Sequence, residues 1–400
     1  MSDFLPEIHA LFESAVRSGF PIALWRLPYR NKINAVVGLM KQIAPSQLDI
    51  YPAESGFCLA PFINPGGTRS LFIRSDFTYN SDMRKLMENP GTEKDKPTRK
   101  MKDRFVDEFN SRVTYPQREP CLWHDVKAIP PTQNDEKKYR LLVEDAIKLI
   151  AECKFKKLVL SRTKVVRLDE SFDAIKYFDK LCLEYPTAFV TLVSIPSVGT
   201  WMVATPETLV GIDKNKNLHT MALAGTQQAP ADPSVDPESV WSQKERVEQG
   251  LVSQYIIECF KEIGLQGFIS NGPYTVRAGH LLHLCTEFTV ALDQQNSSLL
   301  GSRILNLLHP TSAVCGMPKE EAMAYICRYE KYDRQFYTGF LGPVNWEYET
   351  HLFVNLRCLQ LYRKEATIYA GAGITVDSDP KREWLETETK CDTLLKVMSV

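Results

Sequence analysis

Apolar runs and amphipathic stretches alternate along this chain, and their spacing predicts both strands and helices. Helical spacing of apolar residues predicts one helix from about Asn134 to Cys153 and another from Lys244 to about Ile263. The predicted strands are KKLVLSRTKVV, AFVTLVSI, TWMVATPETLVGI, LHTMALAGT and LFVNLRCLQLY. Because few helices separate these strands, the order favours an α/β (α+β) chain with mixed or antiparallel sheets and flanking helices, and not a regular βαβ series.

A further predicted helix, near the C-terminus, carries ionisable residues on its inward side. Asp379 suits the N-cap and Pro380 suits the first turn, where its missing N–H is not needed. One face of this helix combines charged and apolar residues: Glu383, Glu386, Lys390, Leu394 and Val397. The helix from Lys244 repeats the pattern, since Glu248 lies in line with its apolar stripe.

Two carboxylates on the inward faces of separate helices have two interpretations. A buried carboxylate is costly unless it is paired or bound to a metal. Mg²⁺ usually takes one or two protein carboxylates and completes its coordination with water and substrate oxygens, so Glu248 and Glu386 could share such an ion. Alternatively, each Glu reaches a nearby Arg or Lys, or extends to water. Periodicity alone favours the second interpretation.

Four other residues carry candidate chemistry, each beside a structural alternative. Lys157, at the edge of an apolar strand, is either a solvated strand end or a base that burial keeps neutral. Glu207, at a strand-to-turn junction, is equally ambiguous. Arg357 is predicted inside an apolar strand, which indicates a carboxylate or phosphate partner. His283 is more often a satisfied core histidine than a catalytic one.

The Gly-rich run YAGAGI is predicted to be a turn between a strand and the C-terminal helix. Gly371 and Gly373 allow close backbone approach, and their N–H groups could hold an anion. The run is neither a GxGxxG motif nor a P-loop, and taken alone it is a weak signal. Two charged or Pro-containing segments, residues 87–104 and 227–240, are predicted surface loops.

Composition narrows the class of protein. The chain has 48 basic and 49 acidic residues among 400, which gives no overall attraction to nucleic acid or to a membrane surface. Its ten cysteines form no CxxC pair and are typical of reduced thiols in an intracellular protein. The first 20 residues contain acidic residues and no unbroken apolar core, so we expect an amphipathic helix and a cytoplasmic protein with no membrane span.

Nine segments, taken in order, resemble the chorismate-utilising enzymes, the family of anthranilate synthase component one and isochorismate synthase. They are KLVLSR, ATPETL, ALAGT, KERVEQG, LLHL, LLHPTSAVCGMPKEEA, YEKYDRQFYTGFLG, VNLRC and YAGAGITVDSDPKREWLETETK. The resemblance covers the chain from about residue 150 to its end. It implies stacked, largely antiparallel β-sheets flanked by helices, with residues 1–105 as a weakly matched N-terminal portion of the same fold and residues 106–400 as the catalytic region.

The resemblance also implies a site. Glu248 and Glu386 match the positions that hold Mg²⁺, and Glu383 matches a nearby acid that acts on the metal through water. Lys390 and Arg357 match cationic contacts to the carboxylates of chorismate. The remaining matched substrate contacts are Ala224, Gly225, Thr226, His283, Ala313, Tyr337, Gly371 and Gly373.

The implied reaction converts chorismate to isochorismate. Lys157, neutral when it acts, takes a proton from water as the water adds to C2. Glu207, protonated, gives a proton to the C4 hydroxyl as it leaves. Both groups need the protonation state opposite to the one they have when free at neutral pH. A nearby Mg²⁺ favours neutral Lys but ionised Glu, so Glu207 is expected to lie farther from the ion.

Particular positions distinguish members of the family. Lys157 matches members that use water and not ammonia. Ala224 stands where aminodeoxychorismate synthases have a nucleophilic Lys, which excludes covalent lysine chemistry there. Ala313 resembles isochorismate synthases, whereas ammonia users and salicylate synthases generally have Thr. Two departures from the pattern are small: Gln249 replaces a common His, and Val314 replaces a common Leu.

Two alternatives stay open. A salicylate synthase would form isochorismate and then eliminate pyruvate at the same site. A non-catalytic subunit would bind chorismate for a partner. For an isochorismate synthase the resemblance implies a monomer without an amidotransferase subunit. It leaves open whether the product serves the synthesis of menaquinone, of a siderophore, or of salicylate by a separate lyase.

Overall fold

The computed structural model describes residues 5–40, 46–47, 54–63, 69–89, 99–116, 121–126, 135–230, 237–265, 267–279, 281–292 and 297–398. The helices in these ranges are Leu5–Ser18 (α1), Arg99–Thr114 (α2), Glu136–Ala151 (α3), Ala174–Glu184 (α4), Gln243–Glu262 (α5), Ser297–Leu308 (α6), Lys319–Tyr329 (α7) and Pro380–Met398 (α8). In these same residues no helix is long and apolar enough to cross a membrane.

The strands in the described ranges are, in chain order, Ile22–Arg26 (β1), Ile33–Val37 (β2), Ser46–Gln47 (β3), Gly56–Ala60 (β4), Arg69–Arg74 (β5), Phe77–Asn80 (β6), Lys85–Glu88 (β7), Lys157–Arg167 (β8), Phe189–Ile195 (β9), Gly199–Thr205 (β10), Thr208–Ile212 (β11), Asn217–Gln228 (β12), Phe268–Ala278 (β13), Leu281–Ala291 (β14), Gly316–Met317 (β15), Phe340–Val344 (β16), Thr350–Val354 (β17), Cys358–Leu361 (β18) and Glu365–Ile374 (β19).

These strands form two large sheets. The first has the order β15-β8-β19-β18-β10-β9-β1-β2-β6-β7, and the second has the order β13-β14-β12-β11-β17-β16-β4-β5-β3. Each registered pair in the two sheets is antiparallel, for example β8 with β19 and β12 with β14. The predicted fold class, antiparallel sheets with flanking helices, is therefore confirmed.

The core between the sheets contains large aromatic side chains from both. Phe189 of the first sheet stacks on Phe353 of the second, with ring centroids 4.1 Å apart and planes inclined by 7°. Trp25 and Trp201 of the first sheet are completely buried in the same cluster. Full burial of such a side chain contributes about 1.5–3 kcal/mol relative to exposure, so this layer holds the two sheets face to face.

Helices cover the outer faces of the sheets and bring in the charged helix faces. The helix α5 packs along β12 of the second sheet, and α8 packs along β19 of the first. A capping box between Ser242 and Glu245 begins α5, and the Asp379 carboxylate accepts the N–H of Arg382 at the start of α8. The predicted helices of the second half of the chain are thus confirmed to within a residue or two.

Two of the places where the chain crosses between the sheets are neighbours in space. The chain passes from β10 to β11 through Pro206 and Glu207, and it returns from β17 to β18 through residues 355–357. Backbone hydrogen bonds join the crossings, since Ala204 N–H donates to Arg357 C=O and Val354 N–H donates to Glu207 C=O, both at 3.0 Å. Polar residues at the crossings are therefore presented where the two sheets meet.

Three predictions about local structure are wrong. The runs TWMVATPETLVGI and LFVNLRCLQLY are each two strands in different sheets and not single strands. Arg357 consequently lies in a crossing, with φ of +47°, and not inside a strand. The run YAGAGI belongs to β19 and is not a turn. Of the predicted loops, residues 90–98 and 231–236 lie outside the described residues, and α2 begins inside the first at Arg99.

Candidate active site

The crossings, together with α5 and α8, surround a cavity. Thirteen of the fifteen residues predicted from the sequence line it: Glu207, Ala224, Gly225, Thr226, Glu248, His283, Ala313, Tyr337, Arg357, Gly371, Gly373, Glu386 and Lys390. The other two lie beside lining residues, since Lys157 contacts Glu248 and Glu383 precedes Glu386 by one turn of α8. The structure brings all fifteen to one place from distant parts of the chain.

Each of the three acids of the predicted metal site contacts a lysine. The contacts join Lys157 Nζ to Glu248 Oε1 at 2.9 Å, Lys244 Nζ to Glu383 Oε1 at 2.6 Å, and Lys390 Nζ to Glu386 Oε1 at 2.7 Å. This is the arrangement of the alternative interpretation, in which each Glu reaches a nearby cationic side chain. A divalent cation bound here would compete with the three lysines for the same carboxylates.

Sequence reasoning missed two residues that hold site residues in place. Lys244 bonds Glu383 and so links α5 to α8, and Thr393 accepts a hydrogen bond at 3.1 Å from Arg357. Both could have been found from helical spacing. Lys244 lies four residues before Glu248, and Thr393 lies three residues after Lys390, which places each on the side of its helix that faces the site.

Lys157 and Glu248 form a buried pair with unequal hydrogen bonding. Lys157 has no exposed surface, and its contact with Glu248 lacks the alignment of a hydrogen bond. No other acceptor in the described ranges reaches this ammonium. Although burial alone would raise it, the pKa of Glu248 is held below its usual range, mainly by Lys157 and then by Lys244. The unused N–H groups of Lys157 suit it to hold a small polar molecule such as water.

Glu207 has the opposite electrostatic character. Its side chain is 4% exposed at the crossing between the sheets, and burial raises its pKa to about 8, against the opposing charges of Lys157, Lys390 and Arg357. Glu207 is therefore protonated at neutral pH and can donate a proton into the cavity. This state agrees with the role that the family resemblance implies.

Arg357, which is positively charged, and His283, which is neutral, lie side by side at one corner of the cavity. His283 Nδ1 lies 2.9 Å from Gly225 C=O, so the hydrogen-bond network assigns the ring proton to Nδ1. Its Nε2 faces the Arg357 guanidinium at 3.5 Å. Burial and then Arg357 lower the pKa of His283 to about 3, so the ring is neutral. Arg357 and Lys390 therefore place two side-chain cations at the cavity, which suits the binding of a dicarboxylate.

Gly371 and Gly373 open the first sheet toward the cavity. They lie opposite Ser161 and Val159 of β8, whose N–H groups bond to Glu330 and Cys315 on the other side of that strand. The polar backbone groups of both glycines therefore point away from β8. Gly371 C=O accepts a hydrogen bond from Lys390 at 2.8 Å, which agrees with this direction. Although the run is a strand, its backbone remains available to a ligand.

The carboxylates fit a hard divalent cation such as Mg²⁺. They supply oxygen donors alone, and Glu383 Oε2 is buried without an aligned hydrogen-bond partner in the described residues. A Cβ on Gly373 would overlap Glu248 Oε1, so glycine leaves the space that this oxygen occupies. Within the described ranges no three His, Cys, Asp or Glu side chains gather closely enough to hold an ion.

Known proteins are similar to this chain in sequence and in fold. A family model described as "Chorismate binding enzyme" matches residues 74–399. Isochorismate synthase EntC of Escherichia coli K12 is 29% identical over 278 residues, which are 68% of this chain and 69% of that protein. A putative isochorismate synthase MenF of Mycobacterium tuberculosis is 33% identical over 256 residues, which are 61% of this chain and 68% of that protein.

Solved structures agree at the level of the fold. The structure of MenF, the menaquinone-specific isochorismate synthase from Escherichia coli, superposes with a TM-score of 0.74 at 20% sequence identity. The match covers 97% of this chain and 91% of that one, so the two proteins share one fold over most of their lengths.

Proposed function

Since this chain belongs to the chorismate-binding enzyme family, we propose that it is an isochorismate synthase, an isomerase that converts chorismate to isochorismate. The observation that carries the proposal is that a buried carboxyl group, Glu207, lines the cavity and a buried amine, Lys157, lies directly behind its wall, because moving a hydroxyl from C4 to C2 needs one acid and one base. The relatives named isochorismate synthase support the same reaction.

The substrate's two carboxylates would be bound by different groups. Arg357 and Lys390 supply two cations on the cavity wall, and the backbone of Gly371 and Gly373 allows the ring to lie close to β19. Glu248 and Glu386 would hold Mg²⁺, with Glu383 reaching it through water. When bound, the ion would neutralise and anchor one carboxylate of the substrate.

Two residues of this chain move protons. Lys157 acts in its neutral form, after its ammonium has lost a proton to solvent, and takes a proton from the water whose oxygen bonds to C2, while Glu207 gives its proton to the C4 hydroxyl as that C–O bond breaks. The ring double bonds shift between the two positions. One water enters and one leaves, so the product is an isomer of the substrate. Lys157 and Glu207 exchange their protonation states in the turnover and recover them through solvent.

Two side chains would limit the chemistry to water addition. Ala224 stands at the wall where a lysine nucleophile would otherwise form a covalent bond to the ring, and Ala313 leaves the C2 side without a hydroxyl group. The proposal extends to a cytoplasmic monomer that supplies menaquinone or siderophore synthesis, for which the sequence resemblance is the support.

Incubating the pure protein with chorismate and Mg²⁺ tests the function, with the product separated by chromatography. We expect isochorismate, and we expect EDTA to stop its formation and added Mg²⁺ to restore it. Salicylate, which is fluorescent, would instead identify a salicylate synthase. Binding of chorismate without turnover would identify a binding subunit.

A Gly373→Ala variant tests the placement of the metal-binding carboxylate. The new Cβ would overlap Glu248 Oε1 and lie 3.0 Å from Lys157 Cε, so the flexible carboxylate must move. We expect Mg²⁺ affinity, measured from the Mg²⁺ dependence of turnover, to fall roughly 10- to 100-fold, as for the loss of other groups that orient a ligand.

The matched control for this variant is Gly250→Ala, because a Cβ at Gly250 meets no atom within 4 Å. The fold of both variants should persist, since only the tip of a side chain has to shift in Gly373→Ala. An unchanged Mg²⁺ dependence in Gly373→Ala would remove Glu248 from the metal site.

A further inference from the structure

Behind the cavity lies a buried ion pair that the reaction as described does not use. Glu330 and Arg334 are 3% and 2% exposed, and neither lines the cavity. Arg334 Nε and Nη2 donate to the two carboxylate oxygens at 2.8 and 2.5 Å. A buried pair of this kind is weak evidence of added stability, because desolvation offsets the attraction between the charges. Its further contacts indicate what it does.

The Arg334 guanidinium reaches three segments that form the cavity wall. Nη2 donates to Val159 C=O at 2.8 Å, and Nη1 donates to Val314 C=O at 2.9 Å and to Thr338 Oγ1 at 3.2 Å. Val159 and Val314 line the cavity, and Thr338 follows Tyr337, which also lines it. One planar group therefore sets the spacing of three pieces of the wall.

The joined segments carry the water-addition side of the site. Val159 lies two residues after Lys157 on β8, and Val314 follows Ala313 on the wall opposite C2 in the proposed reaction. Backbone bonds reinforce the junction, since Val159 N–H donates to Cys315 C=O at 2.9 Å. A shift of Arg334 would therefore change the distance between the base and this wall.

Glu330 holds the same strand, β8, at a second point. The Ser161 hydroxyl lies 2.9 and 3.0 Å from its two oxygens and can donate its one proton to either, and one oxygen also accepts Ser161 N–H at 2.7 Å. Ser161 in turn lies opposite Gly371 in the sheet. The carboxylate thus orients both Arg334 and the segment of β8 that follows Lys157.

The segment carrying the pair has an unusual backbone. Lys331, Gln335 and Thr338 have φ of +62°, +50° and +60°. Such values are uncommon for residues other than glycine, and for a β-branched residue such as Thr338 they are a genuine outlier. Conformations of this kind persist where surrounding contacts impose them, and they cluster at functional sites.

We infer that Glu330 and Arg334 are positioning residues, which hold Lys157 of β8 at a set distance from the wall at Ala313 and Val314 so that water is directed to C2. The inference rests on the proposed function. Lysine cannot replace Arg334, because a single ammonium cannot reach the carboxylate and two separated carbonyl groups in one plane.

The test is Arg334→Lys, assayed with chorismate at saturating Mg²⁺. We expect kcat to fall roughly 10- to 100-fold through misplacement of the reacting groups, with KM little changed because Arg357 and Lys390 lie on other elements. Ser161→Ala, which removes the hydroxyl that donates to Glu330 and leaves the ion pair, should lower kcat by a smaller factor with the same KM. This variant carries the test if Arg334→Lys does not fold.

Arg26→Lys is the matched control. Arg26 is also 2% exposed and donates to backbone carbonyls, those of Leu27, Arg30, Tyr185, Pro186 and Ala188, away from the cavity. It should lower Tm and leave kcat unchanged. If Arg334→Lys and Ser161→Ala likewise lower Tm alone, or raise KM at unchanged kcat, the inference is overturned. A wild-type protein that makes no isochorismate would instead overturn the proposed function.

Discussion

Replacing Lys157 with Met is expected to lower kcat for isochorismate formation by roughly 10²- to 10⁴-fold, the usual contribution of a general base. Met keeps the apolar stem in a fully buried position and removes the ammonium that contacts Glu248 at 2.9 Å. Binding should persist, because the side-chain cations proposed for the substrate carboxylates, Arg357 and Lys390, come from other elements. Turnover and equilibrium binding of chorismate, each measured with Mg²⁺, separate the two effects.

Lys164→Met is the matched control for Lys157→Met. Lys164 lies on the same strand and pairs with a carboxylate of α8, Glu388, at 2.7 Å, but it does not line the cavity. Its replacement should leave kcat near the wild-type value. If Lys157→Met keeps kcat but loses chorismate binding, Lys157 is a binding residue and not the base.

Replacing Glu207 with Gln should have a comparable effect, again roughly 10²- to 10⁴-fold on kcat, because the amide cannot give its proton to the leaving hydroxyl. The wild-type enzyme should lose kcat/KM above about pH 8, where Glu207 ionises. The fold should tolerate the change at neutral pH, because Gln has the shape and charge of the protonated acid. Steady-state kinetics over a range of pH provide the measurement.

The same substitution has a stability signature with a definite sign. Burial raises the pKa of Glu207 from an ordinary value of 4.5 to about 8 in the folded protein. Between these values the folded protein retains a proton that the unfolded chain has lost, so wild-type stability falls as pH rises through this window. Glu207→Gln lacks this pH dependence. We therefore expect the Tm of the variant, relative to that of the wild type, to increase as the pH is raised from acidic values to pH 8. Parallel Tm curves would contradict the burial of this acid.

Local patterns of the sequence were sufficient for the helices that carry the acids. The 3.6-residue spacing of α5 and α8 and the Asp379 cap of α8 were read correctly, because they depend on neighbours within a turn or two. The same spacing placed Glu248 and Glu386 toward the interior, where the structure has them on a cavity wall. It could not say which partners they meet, since the lysines that contact Glu248 and Glu383 come from other elements.

Alternation of apolar residues failed where the chain changes sheets. A crossing such as Pro206–Glu207 does not interrupt the apolar run, because the residues on both sides are buried, so one long strand was predicted in place of two. YAGAGI failed for the opposite reason. Glycines that usually mark a turn lie here inside a strand, where the absence of Cβ atoms leaves room for Glu248 and for close packing against β8.

The sequence by itself determined the helices that carry the acids, the family resemblance and the fifteen residues of the candidate site, because periodicity and motifs are properties of short stretches of chain. Only the tertiary structure decided that burial raises the pKa of Glu207, that Lys157 has Glu248 as its contact, and that Arg334 joins three segments around the cavity. These facts depend on desolvation and on contacts between residues far apart in sequence. Both arise only when the two sheets are assembled and exclude water from the place where they meet.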